Sequence, residues 1–211
     1  MKEQEPAAGS RALDPHDESR YLSLCLIRHG QIGDEYRANE IGPRLTPLGE
    51  RQAAKAALRF AEQSFDCIYS SDAQRALDTA KAMLEHHPET RYVISSDIRE
   101  ISGWHGRRRM VNLPLTRRVR IERRRVRRFC DKLLADHPPG QRVLIVAHGN
   151  LIRYLISLLA GVSPNRGIAL ETRHTGVFML QAYRRKEPQF NARAVVSLAN
   201  CVKHLESDEI S

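Results

Sequence analysis

Three apolar runs of strand length recur along this chain, and each is followed by polar residues and then by a segment with helical character. The runs are Leu22–Ile27, Phe65–Tyr69 and Val143–Ala147. Strands of a parallel sheet are nearly continuous in apolar residues, because helices cover both faces of such a sheet. The alternation therefore predicts an α/β fold, a three-layer α/β/α sandwich with a mostly parallel central sheet.

Further strand and helix signals extend this arrangement. Three more segments have strand character: Arg91–Ile98, Gly176–Ala182 and Ala192–Leu198. Thr46 followed by Pro47 supplies an N-cap and a proline for the first helical position, which predicts a helix from there to about Gln63.

Two more helices are predicted from their ends. Ser71 or Asp72 is placed to cap a helix over Ala73–His86. Gly161 is placed to close a helix that contains Leu151–Ala160. Both helices follow predicted strands, as an α/β sandwich requires.

The chain's length and composition suit one globular domain, with 211 residues of which 41% are hydrophobic. The first twenty residues are polar, so we expect residues 1–20 to be a flexible arm and residues 21–205 to form the domain. No apolar run approaches the ~20 residues of a membrane-spanning helix. The four cysteines are widely spaced, which argues against a disulfide framework or a zinc site. These features predict a cytoplasmic protein.

The net charge of +9 is concentrated in one segment. Between Arg107 and Arg128 there are eleven arginines and a single acid, Glu122. We expect residues 102–128 to be an arginine-rich loop and helix inserted above the sheet. The helix, from Thr116 to His137, has one apolar face, formed by Val119, Val126, Phe129, Cys130, Leu133 and Leu134. The arginines are a candidate surface for a polyanion, although such a run is more often only a solvated helix face.

Polar residues gather where the predicted strands end. In open parallel sheets, ligands bind just beyond the carboxyl ends of the strands. The residues expected there are Arg28, His29, Ser70, Ser71, Glu100 and His148. A lone histidine is more often structural than catalytic. His29 and His148, however, share one context: an apolar strand, the histidine, a glycine and then a helix.

Five segments resemble the histidine phosphatase superfamily, whose members have a phosphoglycerate-mutase-like fold. The segments are Ile27–Gly30, Leu45–Ala53, Tyr69–Ala80, Arg99-Glu100 and Val146–Gly149. They occur in the family's order and spacing over about residues 22–200. An isolated Arg-His-Gly is weak evidence, whereas five segments in register are strong evidence.

The resemblance implies a phosphatase that needs neither a metal ion nor a cofactor. His29 would be the nucleophile and become phosphohistidine, while Arg28 and Arg75 would hold the phosphoryl oxygens. His148 would donate a hydrogen bond to the same oxygens. Glu100 would protonate the leaving oxygen and then activate water.

Four other residues are weaker candidates. Gln31 and His174 are candidate substrate contacts, but Gln31 could simply line its loop and His174 could be an ordinary surface histidine. Glu35 and His105 are the alternatives to Glu100 as proton donor.

The catalytic core of this family serves both phosphatases and phosphoglycerate mutases. Gln31–Tyr36, directly after Arg-His-Gly, lacks the serine and the Trp–Asn signature associated with mutases, so hydrolysis of phosphate monoesters is favoured. A phosphorylated small molecule and a phosphoprotein remain open as substrates. An anion- or nucleic-acid-binding module on a phosphatase fold is the other class, and the lack of interleaved aromatic residues counts against nucleic acid.

Overall fold

The computed structural model describes residues 18–33, 42–101, 117–162, 170–187 and 192–211. Within these ranges the strands are β1 (Leu22–Arg28), β2 (Cys67–Ser71), β3 (Arg91–Ser95), β4 (Arg142–Ala147), β5 (Val177–Glu187) and β6 (Ala192–Cys201). The α helices are α1 (Pro47–Phe60), α2 (Gln74–His86), α3 (Arg117–Asp136) and α4 (Gly149–Leu159). Short 3-10 helices cover Glu18–Arg20, Ser96–Ile98 and Ser207–Glu209. Strand and helix alternate as far as α4, as the sequence predicts.

The six strands form one sheet in the order β3-β2-β4-β1-β5-β6. β3, β2, β4 and β1 run parallel to one another, whereas β5 is antiparallel to β1 and β6 is antiparallel to β5. The prediction of a mostly parallel sheet is confirmed. β1 and β4 are neighbours, but the chain continues from β1 to β2, toward one edge of the sheet, and from β4 to β5, toward the other edge. In open α/β sheets, ligands bind in the crevice at such a switch point.

Helices cover both faces of the sheet and complete the predicted three layers. α1 and α2 pack on one face, where Ala56 and Ala80 belong to the same buried cluster as Ile27 of β1. α3 and α4 cover the other face, where Leu155 clusters with Val143 of β4. The predicted apolar face of α3 is buried at Val126, Phe129, Cys130, Leu133 and Leu134. The side chain of Val119 lies outside the described part.

The ends of α1 and α2 test the capping predictions. Thr46 caps α1 as predicted: its hydroxyl accepts from the Gly49 amide at 3.0 Å, and Pro47 is the first helical residue. The cap predicted for α2 is wrong. The N-cap of α2 is Ala73, without a side-chain cap, because Ser71 is still part of β2, where it pairs with Ser95 of β3.

Strand ends also differ from the predicted ones. β2 begins at Cys67 rather than Phe65, and the segment predicted to be a strand as far as Ile98 leaves the sheet after Ser95. The Ser95 hydroxyl accepts from the Asp97 amide at 3.2 Å and so caps the 3-10 helix that follows β3. This local hydrogen bond ends the strand early.

Residues beyond 205 pack onto the domain, where Glu209 is buried and pairs with Lys55 at 2.8 Å. Of the predicted arm, residues 1–17 lie outside the described residues, and Glu18–Arg20 form a 3-10 helix. Residues 102–116, the loop part of the predicted insertion, also lie outside them. None of the helices in the described ranges has the length and apolar composition needed to cross a membrane.

Candidate active site

The register of β1 against β4 brings the two histidines of the sequence pattern together. Arg28, at the end of β1, pairs with Ala147, at the end of β4, so His29 and His148 leave the sheet side by side. The His29 amide donates to the Ala147 carbonyl at 3.0 Å, and the two imidazole centroids are 5.3 Å apart. Parallel strands present their carboxyl ends at one edge, which is why these distant motifs meet.

Hydrogen bonds fix the tautomer of His29. Its Nδ1 lies 2.8 Å from the carbonyl oxygen of Gly30, and because a carbonyl only accepts, Nδ1 carries the proton. Nε2 accepts from Nε of Arg75 at 3.2 Å. Burial lowers the pKa of His29 well below its ordinary 6.5, and the neighbouring His148, Arg28 and Arg75 add to the effect by disfavouring a second positive charge. At neutral pH, His29 is therefore a neutral imidazole with its lone pair on Nε2.

Arg28 and Arg75 bring positive charge to this lone pair from two different elements. Nη1 of Arg28 donates to the Thr172 carbonyl at 2.6 Å, while its buried Nε has no partner in the described ranges. Burial lowers the pKa of Arg28 to about 10, which leaves it charged at neutral pH. Arg75 lies in the first turn of α2, where the helix dipole adds positive potential. Both guanidinium groups are suited to bind an oxyanion.

His148 is held by Ser71. The Ser71 hydroxyl lies 2.9 Å from Nε2 of His148 and accepts from the Ala73 amide at 3.4 Å. The hydroxyl proton is therefore available to Nε2, which leaves the proton of a neutral His148 on Nδ1. Nδ1 is buried and has no hydrogen-bond partner among the described residues. Burial, together with the charges of Arg75, Arg28 and Arg125, lowers the pKa of His148 well below 6.5.

Glu100 follows the 3-10 helix after β3 and reaches the N-terminus of α4. Its Oε1 accepts from the amides of Ile101 and Leu151, both at 3.0 Å, and Oε2 accepts from the Asn150 amide at 3.4 Å. Burial raises the pKa of the carboxyl above its ordinary 4.5, and these hydrogen bonds offset only part of that rise. Oε2, with its single long hydrogen bond, is the oxygen better able to carry a proton.

His174 lies beside His29, with the two ring centroids 5.8 Å apart. Nδ1 of His174 pairs with the Ser211 hydroxyl at 2.9 Å, and its amide donates to the Ser211 carbonyl at 2.9 Å. Burial, assisted by the charge of Arg28, lowers the pKa of His174 to about 4. The structure thus places a neutral His174 at the border of the site.

Gln31 turns toward α1. Its side-chain Oε1 accepts from the Thr46 hydroxyl at 2.9 Å, and its backbone amide donates to Oε1 of Gln52 at 2.8 Å. Gln31 therefore anchors the loop that carries His29. The alternative proton donors, Glu35 and His105, lie outside the described residues.

Two glycines allow this loop to approach α1 closely. A Cβ on Gly30 would collide with the Gly49 carbonyl, and a Cβ on Gly49 would collide with the Gln31 backbone. The glycine after His29 is thus required by packing against the first turn of α1.

Several contributors to the site were not identified from the sequence. The Thr79 hydroxyl accepts from the Gly30 amide at 3.0 Å and donates to the Arg75 carbonyl at 2.8 Å, so it ties the His29 loop to α2. Its place one helical turn after Arg75 was the available signal. Arg125 of α3 donates to the carbonyls of Arg99 and Glu100, and nothing in the sequence distinguishes it from the other ten arginines.

These groups form a cationic cluster around a nucleophilic nitrogen. A buried polar group without a partner costs about 1–3 kcal/mol, so Nε of Arg28 and Nδ1 of His148, which have none among the described residues, each favour a hydrogen-bond acceptor. A phosphoryl group accepts hydrogen bonds through several oxygens and carries negative charge, which suits such a cluster. Across the described ranges, no group of three or more His, Cys, Asp or Glu residues could hold a metal ion.

Comparison with protein families gives a match over most of the chain. The family described as "Histidine phosphatase superfamily (branch 1)" matches residues 24–112 and 102–194. A 2,3-bisphosphoglycerate-dependent phosphoglycerate mutase of Bartonella bacilliformis is 32% identical over 74% of this chain and 89% of its own. A putative phosphoserine phosphatase 2 of Hydrogenobacter thermophilus is 30% identical over 66% of this chain and 79% of its own.

Solved structures agree with the fold. A structure described as mycobacterial hydrolase 2 superposes with a TM-score of 0.70 at 23% identity, covering 90% of this chain and 94% of the other. A mycobacterial glucosyl-3-phosphoglycerate phosphatase in complex with VO3 superposes with a TM-score of 0.67 at 24% identity, covering 84% and 98%. These likenesses establish the phosphoglycerate-mutase-like fold.

Proposed function

The chain belongs to the histidine phosphatase superfamily, and from this premise we propose that it hydrolyses phosphate monoesters through a phosphohistidine on His29. The observation that carries the proposal is the hydrogen bonding of both ring nitrogens of His29, which puts the proton on Nδ1 and the single lone pair on Nε2. Arg75 donates to this lone pair in the free protein and would donate to a phosphoryl oxygen instead when substrate binds. A buried neutral imidazole with its Nδ1 proton held by a carbonyl is prepared to act as a nucleophile.

In the first step, Nε2 of His29 attacks phosphorus, an Nε2–P bond forms and the bond from phosphorus to the ester oxygen breaks. Protonated Glu100 gives its proton to the departing oxygen, so the product leaves as an alcohol. The developing charge is stabilised by Arg28, Arg75 and the Nδ1–H of His148. The Gly30 carbonyl stabilises the cationic phosphoimidazole by accepting from its Nδ1–H.

In the second step, water attacks the phosphohistidine. The ionised Glu100 takes a proton from the water as the new P–O bond forms. The Nε2–P bond breaks, its electron pair returns to Nε2, and inorganic phosphate leaves. Glu100 is again protonated and His29 is again neutral, so the cycle closes without a metal ion or cofactor.

A phosphoglycerate-mutase-type phosphoryl transferase is the second candidate function. A named relative supports each activity: the Bartonella bacilliformis protein is a mutase and the Hydrogenobacter thermophilus protein is a putative phosphatase. The departure of Gln31–Tyr36 from the mutase pattern favours hydrolysis. Incubation with a phosphoglycerate distinguishes the two, since a hydrolase releases inorganic phosphate and a mutase yields the isomeric ester.

The proposed substrates are phosphorylated small molecules or phosphoproteins, with Gln31 and His174 as further contacts. The proposal includes an accessory role for the Arg107–Arg128 segment in attracting polyanionic substrates. Exposed arginines on α3 support it, namely Arg117, Arg120, Arg124, Arg127 and Arg128. Clustered like charges raise the rate of encounter with an oppositely charged substrate, and salt screens the effect.

The steering role is tested by replacing Arg120, Arg124 and Arg127 with Gln. We expect kcat/KM for a multiply phosphorylated substrate to fall at low salt and to converge with the wild-type value as salt rises. The value for p-nitrophenyl phosphate should change much less. Parallel salt dependences for both proteins on the multiply charged substrate would remove this part of the proposal.

A cytoplasmic location is also part of the proposal. The four cysteines are all free thiols, as is typical of a reducing compartment. Fractionation of cells that express the tagged chain tests it.

The main experiment is a phosphate-release screen over sugar phosphates, nucleotides, phosphopeptides and polyphosphate, with wild type and His29→Ala side by side. We expect the wild type to release phosphate from at least one class and His29→Ala to release none. A folded His29→Ala protein with wild-type turnover would reject the mechanism.

A further inference from the structure

Arg125 differs from its neighbours on α3 in where its side chain lies. Arg124, Arg127 and Arg128 are exposed, whereas Arg125 is half-buried at the edge of the helix face that packs onto the sheet. Its Nε is buried and has no hydrogen-bond partner within the part of the chain that the structure describes. A charged group is removed from water only where other interactions compensate.

The compensating interactions are with the segment that ends in Glu100. Nη2 of Arg125 donates to the Arg99 carbonyl at 2.8 Å and to the Glu100 carbonyl at 3.4 Å, and Nη1 donates to the Ser96 carbonyl at 3.3 Å. Ser96 begins the 3-10 helix Ser96–Ile98, and Arg99 and Glu100 directly follow it. One planar guanidinium therefore gathers three carbonyls of the turn between β3 and Glu100, as arginine's fork of donors allows.

Hydrogen bonds of other side chains hold the two ends of this turn. The Arg99 side chain pairs with Asp72, at the start of the turn into α2, with Nε 2.7 Å from Oδ1. The Glu100 carboxylate reaches the first amides of α4. Between these anchors, Arg125 is the side chain of α3 that bonds the backbone of Glu100 itself. A third element, α3, thus contributes to the placement of the Glu100 backbone.

We infer that Arg125 is a positioning residue, which holds the backbone of Glu100 so that its carboxyl can deliver a proton to the leaving oxygen. The inference rests on the proposed function, because it assigns Arg125 a task in that reaction. Arg125 touches no reacting atom. This role distinguishes Arg125 from the exposed arginines of the same segment, which have no contact of this kind in the described part of the chain.

The test compares Arg125→Lys with Arg124→Lys, a matched control at an exposed neighbouring position. Both variants keep the positive charge, but only Arg125→Lys loses the three-carbonyl fork. Phenyl phosphate has a poor leaving group that needs a proton, whereas the leaving group of p-nitrophenyl phosphate needs little help. Rates are expressed per equivalent of His29 that can be phosphorylated by labelled substrate, so a partly misfolded sample does not obscure the result. Arg125→Gln is measured in the same way as a second variant.

We expect kcat/KM of Arg125→Lys on phenyl phosphate to fall by about 10- to 100-fold, since a small misplacement of a catalytic group can cost on the order of 10²-fold. This ratio reports phosphoryl transfer to His29 and not the later water step, which Glu100 also serves and which is the same for both esters. On p-nitrophenyl phosphate, kcat/KM of both lysine variants should stay within about twofold of wild type. In a Glu100→Gln background, Arg125→Lys should add no further loss on phenyl phosphate, because the proton it positions is already gone.

Equal losses of kcat/KM on the two esters, or a loss of kcat/KM on phenyl phosphate that multiplies with that of Glu100→Gln, would overturn the inference. Failure of the proposed function looks different. In that case the wild type itself hydrolyses neither ester, and the positioning role falls with it. The wild type and Glu100→Gln could instead behave as proposed while Arg125→Lys matches Arg124→Lys on both esters. That result would remove the role of Arg125 alone.

Discussion

His29 and Glu100 must both be uncharged at the start of the reaction, and burial acts on the two groups in opposite directions. It lowers the pKa of His29 and raises the pKa of Glu100, because a low-dielectric environment disfavours the charged form of each. The reactive form needs a pH above the pKa of His29 and below that of Glu100. Their shared surroundings therefore widen the range of pH in which nucleophile and acid coexist.

This division of roles predicts the pH dependence of Glu100→Gln. In wild type, kcat/KM on phenyl phosphate should decline on the alkaline side as Glu100 loses its proton. The variant cannot ionise at this position, so it should be slow on phenyl phosphate and lack that decline. On p-nitrophenyl phosphate, kcat/KM of the variant should approach the wild-type value. An alkaline limb retained in Glu100→Gln would assign the acid to another residue.

Ser71 offers a second prediction for single residues, because its hydroxyl orients His148. Ser71→Ala should lower kcat by about tenfold, the equivalent of one hydrogen bond, with a smaller effect on KM. Ser70→Ala is the matched control, since that buried hydroxyl donates to the Ser71 carbonyl and not to His148. Equal losses for the two variants would point to general packing rather than to the orientation of His148.

At the scale of elements, α3 combines a well-packed inner face with an outer face of like charges. Its first turn contains no acid, and Arg117 and Arg120 lie at the end of the helix where the dipole disfavours cations. Arg120, Arg124 and Arg128 follow at helical spacing, where like charges repel. Burial of residues such as Phe129 and Leu133, rather than helix electrostatics, therefore stabilises α3.

Arg124→Glu tests this account of α3. A carboxylate at position 124 would face Arg120 and Arg128, so the melting temperature should rise at low salt. The gain should shrink between about 10 mM and about 500 mM salt, because exposed charges are screened. Arg124→Gln separates loss of repulsion from gain of attraction and should lie between the two. A lower melting temperature for Arg124→Glu at low salt would show that Arg124 has a favourable partner.

The predicted and observed boundaries of the strands and helices show which features can be predicted from the sequence. Continuous apolar runs predicted the strands, and Thr46-Pro47 predicted the start of α1, because these signals are local. The start of α2 was mispredicted because Ser71 pairs with β3 and bonds His148, both contacts between distant segments. Arg125 and Ser211 contribute through residues far away in sequence, and neither position has a local pattern. Local composition cannot identify contacts that only the sheet order creates.

At the scale of the whole molecule, the strand order is what assembles the site. β4 lies beside β1, so two histidines from opposite halves of the chain share one crevice. The cost of this arrangement is the burial of two imidazoles next to arginines. His29 is 3% exposed and His148 is fully buried, and both are held neutral.

Neutral buried histidines make the fold sensitive to acid. Below about pH 6.5 the unfolded chain protonates these residues while the folded protein does not, so the free energy of unfolding falls as pH falls. Each such histidine contributes a slope of up to about 1.4 kcal/mol per pH unit. Urea unfolding between about pH 6.5 and about pH 5.5 should show this slope, and His148→Gln should reduce it. An unchanged slope in His148→Gln would mean that His148 is not held neutral.

The chemical identity of the intermediate tests the central claim most directly. Wild-type protein is mixed with labelled substrate and quenched in base within the first turnover, and the modified peptide is sequenced and examined by phosphorus NMR. Because Nδ1 of His29 donates to the Gly30 carbonyl, the account predicts an acid-labile, base-stable phosphoryl group on Nε2 of His29, formed and lost at rates that match turnover. Phosphate on any other residue or on Nδ1, or steady turnover without labelled His29, would contradict it.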